Sequence, residues 1–150
     1  NTDMIEYPLL SDALNIIKDT DKTVLLDIKG IDKDINVALE LEKVINNTLV
    51  DNDKILISSF NESYLSEIHT ILPEQKLGYI TCNTPYKNFN FIPKYISFLS
   101  LDCNIVNQNV VTNVKNTKRE LFVWTIKNKD NLDRIKHING IDYFISDVAL

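Results

Sequence analysis

Three glycines, four prolines, two cysteines, two histidines and one tryptophan are few for 150 residues. Cys82 and Cys103 allow one disulfide at most and no disulfide framework. Reduced, partly buried thiols are the expected state. Basic charge is not in excess: 16 Lys+Arg stand against 21 Asp+Glu, a net charge of −5. The basic face that a nucleic-acid partner requires is missing, and no nucleic acid is expected. No apolar run approaches the roughly 18 residues of a membrane span, and none is expected. The opening NTDMIEYPLL lacks the basic start of a signal peptide. Asn1 is not an initiator methionine, which reads as a processed product or a fragment. GxGxxG, P-loop and CxxC motifs are all absent. The N-x-[ST] matches at Asn46 and Asn61 carry no weight in an Asn-rich chain.

What remains is a globular composition. It is 44% hydrophobic and 25% charged, which excludes wholesale disorder. At this length a chain buries roughly two-thirds of its unfolded surface and needs no disulfide. One domain, residues 1–150, is the expectation.

Apolar runs alternate with stretches of helical period. Ser11 is placed to cap a short helix through Lys18, with Leu14 and Ile17 on one face. TVLLDIKG (Thr23 to Gly30) suits a buried parallel strand. A helix from Asp34 to Asn46 carries Ile35, Ala38, Leu41 and Ile45 as its apolar stripe. KILISSF (Lys54 to Phe60) is the second strand; Asn61 then caps a helix that Pro73 closes. KLGYIT (Lys76 to Thr81) is the third, and a loop from Cys82 to Lys94 carries Tyr86, Phe89 and Phe91. ISFLSLD (Ile96 to Asp102) is the fourth, followed by a weak helix over Val110 to Thr117. ELFVWTI (Glu120 to Ile126) is the fifth, and a helix over Asn131 to Ile138 ends at Gly140 as a left-handed C′ residue. YFIS (Tyr143 to Ser146) is the sixth. The alternation predicts an α/β fold of parallel βα units.

In such folds chemistry gathers at the C-terminal ends of the strands. Those ends present Asp27 and Lys29, Ser58 to Phe60, Thr81, Asp102, Trp124 with Thr125 and Lys127, and Asp147. Asp27 and Lys29 are two apart and share one side. A carboxylate and a lysine beside an aromatic could hold a metal ion and a phosphate; a salt bridge bracing a loop would use the same pair. Trp124 at such a position is more often core packing than a ligand platform, and Asp147 more often a helix cap or a loop brace. Ser58 and Ser59 have no base beside them in sequence, so nucleophilic catalysis is not expected. His69 and His137 fall within helices, on the outer layer, away from the strand ends; His137 would favour a helix C-terminus.

The ordered series LLDIKG, ILISSF, LGYI, LFVWTIKN and GIDYFISD resembles the later part of glycerophosphodiester phosphodiesterases. Their sequences carry "NIEIK", "SSF", "LGYL", "VWTVN" and "GVDGIITD". PLLSDALNII resembles the helix before the "EIK" strand, and all three glycines fall in or beside these motifs. The resemblance runs from about Tyr7 to Asp147 and implies a TIM (β/α)8 barrel that cleaves glycerophosphodiesters to an alcohol and glycerol 3-phosphate. It implies a divalent cation, magnesium or calcium. By the same resemblance Asp27 corresponds to a metal-binding glutamate and Lys29 to the lysine near the phosphate. Phe60 and Trp124 correspond to the pocket wall, and the role of Asp147 is structural.

The family's "HRG" strand, its "E-x-D" metal pair and its second histidine precede the "EIK" strand and have no counterpart before Asp27. The catalytic histidine pair is therefore expected to be absent from this chain, and no catalytic residue is assigned. A (β/α)8 barrel takes about 250 residues and eight strands; the expectation here is a partial barrel of five or six, lacking the amino-terminal strands. Its open edges require a complementary amino-terminal barrel segment or a homo-oligomer. The alternative is a catalytically inactive barrel remnant serving as a structural or interaction subunit. A third reading, an unrelated doubly wound ligand-binding domain, predicts no family-like pocket.

Overall fold

The computed structural model describes residues 7–30, 35–83 and 89–149. Within them the elements run α1 (Leu10–Ile17), β1 (Val24–Ile28), α2 (Val37–Asn47), β2 (Ile55–Ser59), α3 (Glu62–Ile71), β3 (Lys76–Thr81), β4 (Ile96–Asp102), α4 (Gln108–Asn116), β5 (Glu120–Ile126), α5 (Lys129–Ile135) and β6 (Tyr143–Ser146). The strands form one parallel sheet in the order β1-β2-β3-β4-β5-β6. A doubly wound sheet reverses its strand order at a switch point. This one never reverses, which excludes the doubly wound reading. The sheet curls into a half-barrel with helices between its strands, a partial (β/α)8 barrel.

Strand alternation sorts the side chains into two layers. Ile55 and Ile57, Leu77, Leu99 and Leu101, and Leu121 and Val123 face the helices. There they join Leu14, Ala38, Leu41, Ile45, Leu65, Ile68, Val111, Val114 and Ile135 in the main core. The alternate residues, Leu56, Phe98 and Phe122, form a small separate cluster on the concave face. Phe98 lies tilted on Phe122 with ring centroids 4.5 Å apart, and Phe122 meets Tyr143 at 4.4 Å. Gly78 makes this packing possible. A Cβ there would sit 2.0 Å from the Phe98 ring.

Two polar anchors, the buried Arg119 and the exposed Asp142, tie elements together. Arg119 donates from Nε to the Ile96 carbonyl and from Nη2 to the carbonyls of Ile92 and Pro93, each at 2.9 Å. Burial lowers its pKa from the usual arginine value. Asp142 accepts from the Leu121 N–H at 2.7 Å and from Lys115 Nζ at 2.7 Å, joining β5, α4 and the approach to β6.

Several sequence expectations are corrected. Helix α1 has Leu9 at its N-cap with no side-chain cap bond, so Ser11 lies inside the helix. Ile35 precedes α2 and is 53% exposed; the stripe is Ala38, Leu41 and Ile45. The expected start of that helix at Asp34 lies outside the described residues, as does Tyr86. Strand β1 is half-buried instead of buried, because it is an edge strand with no partner on its outer side among the described residues. Helix α5 begins earlier than its apolar spacing predicts, because the Asn128 side chain caps it by accepting from the Asn131 N–H, and it ends at Ile135. Gly140 therefore is not its C′ residue. It has φ 102° in the turn before β6, where a side chain would meet Val111 Cγ1 at 2.9 Å.

Candidate functional site

The concave face opens at the C-terminal strand ends into a groove of about 610 Å³. Asp27, Lys29, Phe60 and Trp124 all line it, so the four residues singled out in the sequence are brought together. Ser58 and Ser100 add polar wall from β2 and β4; Leu25, Ile80 and Ile145 add apolar floor.

The strands position these groups by register. Asp27 pairs with Ser58, Ser58 with Gly78, and Asp102 with Trp124. Asp27 and Lys29 form an ion pair at 3.4 Å, with the lysine side chain 75% exposed and the aspartate 37%. A pair so exposed contributes little to stability. Its charges remain available to a ligand. Phe60 and Trp124 meet edge to face, 5.8 Å between centroids and 81° between planes. Phe60 directly follows β2 and Trp124 lies within β5, strands three spacings apart, about 14 Å in a flat sheet. Curling of the sheet lets the two rings meet over the groove.

Two polar atoms at the groove are buried without a partner: Ser58 Oγ and Trp124 Nε1. Such atoms usually find a hydrogen bond, which marks the groove as a place for a polar ligand.

No family model and no curated protein matches the sequence. Solved structures do match. A protein described as a glycerophosphoryl diester phosphodiesterase from Silicibacter pomeroyi superposes with a TM-score of 0.78 at 14% identity, over 93% of this chain and 52% of its own. A phosphodiesterase from Oleispira antarctica, solved with the product sn-glycerol-3-phosphate, gives 0.75 at 19% identity, over 93% and 57%. A glycerophosphodiester phosphodiesterase from Parabacteroides distasonis gives 0.73 at 16% identity, over 93% and 60%. The fold is shared with solved glycerophosphodiester phosphodiesterases. The chain spans between about half and three-fifths of the length of the phosphodiesterases it matches, in keeping with a half-barrel.

The donor set bears on the divalent cation that the resemblance implies. Magnesium and calcium take six or more oxygen ligands, several of them often water or substrate. Asp27 is the one carboxylate lining the groove among the described residues, and no three His, Cys, Asp or Glu side chains there could hold a metal together. These residues do not compose a metal centre by themselves.

The remaining strand-end residues have other work. Ser59 Oγ donates to the Ile28 carbonyl at 2.8 Å and accepts from the Asn61 N–H at 3.0 Å, bracing β1 against β2. The Thr81 hydroxyl bonds the backbone of Asn83. Asp102 accepts from the Asn104 N–H at 2.7 Å, as a cap. Lys127 lines a smaller neighbouring hollow with Trp124, Thr125 and Asn131. The exposed Asp147 donates its backbone N–H to the Ile126 carbonyl at 3.2 Å. His69 stacks on Tyr95 at 4.4 Å on the helical layer, and His137 lies exposed in the turn after α5. Neither lines the groove. Sequence reasoning missed Ser100 and the apolar Leu25, Ile80, Phe144 and Ile145 as lining residues. The alternation Phe98, Ser100, Asp102 could have flagged the first.

Proposed function

We propose that residues 1–150 are one domain, the carboxy-terminal part of a glycerophosphodiester phosphodiesterase-like barrel, and that they carry the substrate-holding side of its active site. The supporting observation is that Asp27, Lys29, Phe60 and Trp124 share one groove at the strand ends. In this reading the Lys29 ammonium holds a phosphoryl oxygen of a glycerophosphodiester, and Phe60 and Trp124 wall the site. Asp27 is one oxygen ligand of a magnesium or calcium ion whose other ligands come from a complementary amino-terminal barrel segment. That segment also supplies the histidines that move protons, and its strands cover the free edges of β1 and β6. A homo-oligomer is the less fitting cover. A (β/α)8 barrel has eight strands, and a second copy of this sheet would bring six where two are wanted.

The test joins this chain to such a segment and assays glycerophosphodiester hydrolysis with magnesium or calcium. Lys29→Ala and Asp27→Ala should each lower kcat/KM about a hundredfold, the scale of losing one charged contact in an active site. Undiminished activity in both variants contradicts the site assignment. A second reading, an inactive remnant used as an interaction subunit, is favoured by the single carboxylate that lines the groove among the described residues. It predicts no hydrolysis in any such pairing.

A further inference from the structure

Ser58 is the least expected polar residue of the groove. It is 1% exposed, its Oγ has no hydrogen-bond partner, and it lines the groove near the C-terminal end of β2. The strand alternation that puts Leu56 in the concave cluster puts Ser58 and Phe60 on that same side. The flanking positions in the register are Asp27 on β1 and Gly78 on β3. Gly78 offers no side-chain acceptor, and its side-chain space is filled by the Phe98 ring. The hydroxyl does not bond the Asp27 carboxylate, which pairs with Lys29. Its neighbour in sequence, Ser59, is fully engaged with backbone, so the two serines do different things. A buried hydroxyl left unpaired costs stability, and replacing it with an apolar group would be neutral or better if packing were its only task.

The chemistry of the ligand follows from the polar groups around the groove. A lysine ammonium and an indole N–H can only donate. A serine hydroxyl can do either. Against these donors stands one carboxylate among the described lining residues, Asp27, already facing Lys29, while the hydroxyls of Ser100 and Thr125 can donate as well as accept. A ligand that satisfies Trp124 Nε1, Lys29 and Ser58 together must be rich in acceptors, as a phosphoryl group is.

We propose that Ser58 is a ligand-binding residue whose hydroxyl donates to a phosphoryl oxygen in the groove. The proposal rests on the phosphodiester reading of the site and adds to it a residue that selects for phosphate.

The experiment is a titration of the full chain with sn-glycerol 3-phosphate, inorganic phosphate or glycerol, read by the indole N–H resonance of Trp124, the single tryptophan. Wild type, Ser58→Ala, Ser58→Cys and Lys29→Ala are compared, with the thermal midpoint of each. Glycerol 3-phosphate and phosphate should both shift the resonance, and glycerol should not. Ser58→Ala should weaken glycerol 3-phosphate binding about tenfold, the scale of a hydrogen bond to a charged group, with a midpoint equal to or above that of wild type. The nearly isosteric Ser58→Cys, a weak donor, should lose most of the same affinity while holding its packing. If Lys29→Ala weakens binding and both Ser58 variants bind as wild type, the Ser58 proposal is overturned and the groove reading stands. If neither phosphate compound shifts the wild-type resonance, or glycerol alone does, the phosphate reading falls and the role of Ser58 falls with it.

Discussion

Gly78 and Phe98 illustrate how one residue sets the shape of the concave face. The Phe98 ring occupies the space where a Gly78 side chain would be, with ring carbons 2.0 to 2.5 Å from a built Cβ. Phe98 is wholly buried and is held from its other side by Phe122. Gly78→Ala must therefore displace an aromatic ring inside a packed cluster. The expected cost is about 1–3 kcal/mol, the usual price of overpacking, measured by urea unfolding. Adding Phe98→Leu should recover part of it; an unchanged midpoint in Gly78→Ala would show that the ring moves freely. The sequence indicates that Gly78 belongs to a strand motif, LGYI. It cannot indicate the reason, because Phe98 comes from a different strand and meets the glycine only through sheet pairing. The same limit applies to the groove. Asp27, Lys29, Phe60 and Trp124 are legible as strand-end residues, but the contact between Phe60 and Trp124 depends on how far the sheet curls. Ser58 is visible in the sequence only as a serine without a base; its lack of any partner is a property of the packed structure.

Strands and helices differ in how openly the sequence announces them. The limits of β3, β4, β5 and β6 coincide with the runs KLGYIT, ISFLSLD, ELFVWTI and YFIS. Short apolar runs with β-branched and aromatic residues are bounded by polar ones, and that contrast marks their ends. Helix starts are less legible because they depend on capping as much as on periodicity. Four helices begin after an asparagine whose side chain accepts a backbone N–H: Asn36, Asn61, Asn107 and Asn128. In an Asn-rich chain the capping asparagines are hard to tell from the others. Helix α4 consequently starts at Gln108, ahead of its first apolar residue Val110, and α5 starts at Lys129. The Asn107 side chain accepts from the Val110 N–H at 3.1 Å. Asn107→Ala should cost about 1 kcal/mol in chemical denaturation, and Asn107→Asp should keep most of the stability. Equal losses in both variants would mean that the amide, and not its accepting oxygen, is what the helix needs.

At the scale of the whole molecule the half-barrel has two free strand edges and an incompletely filled interior. Among the described residues β1 and β6 each lack an outer partner. Tyr143 and Phe144 on β6 are 51% and 37% exposed, and Val148 beyond it is 45% exposed. On the concave face, among the described residues, Leu56, Phe98 and Phe122 form a small buried cluster with Leu25 and Ile145 packed against it, whereas the interior of a complete barrel is packed in layers by side chains from all its strands. Free parallel edges with apolar flanks invite pairing, so the account requires a cover. No described helix is long and apolar enough to cross a membrane.

The most direct measurement is the native mass of the particle isolated from the cells that make this chain, with the denatured mass of every polypeptide in it. The account predicts a particle heavier than 17.3 kDa, whose additional residues, on the same polypeptide or a second one, carry histidines and complete the sheet. A stable particle of 17.3 kDa containing this chain alone would contradict it, and would remove the enzymatic reading for these residues.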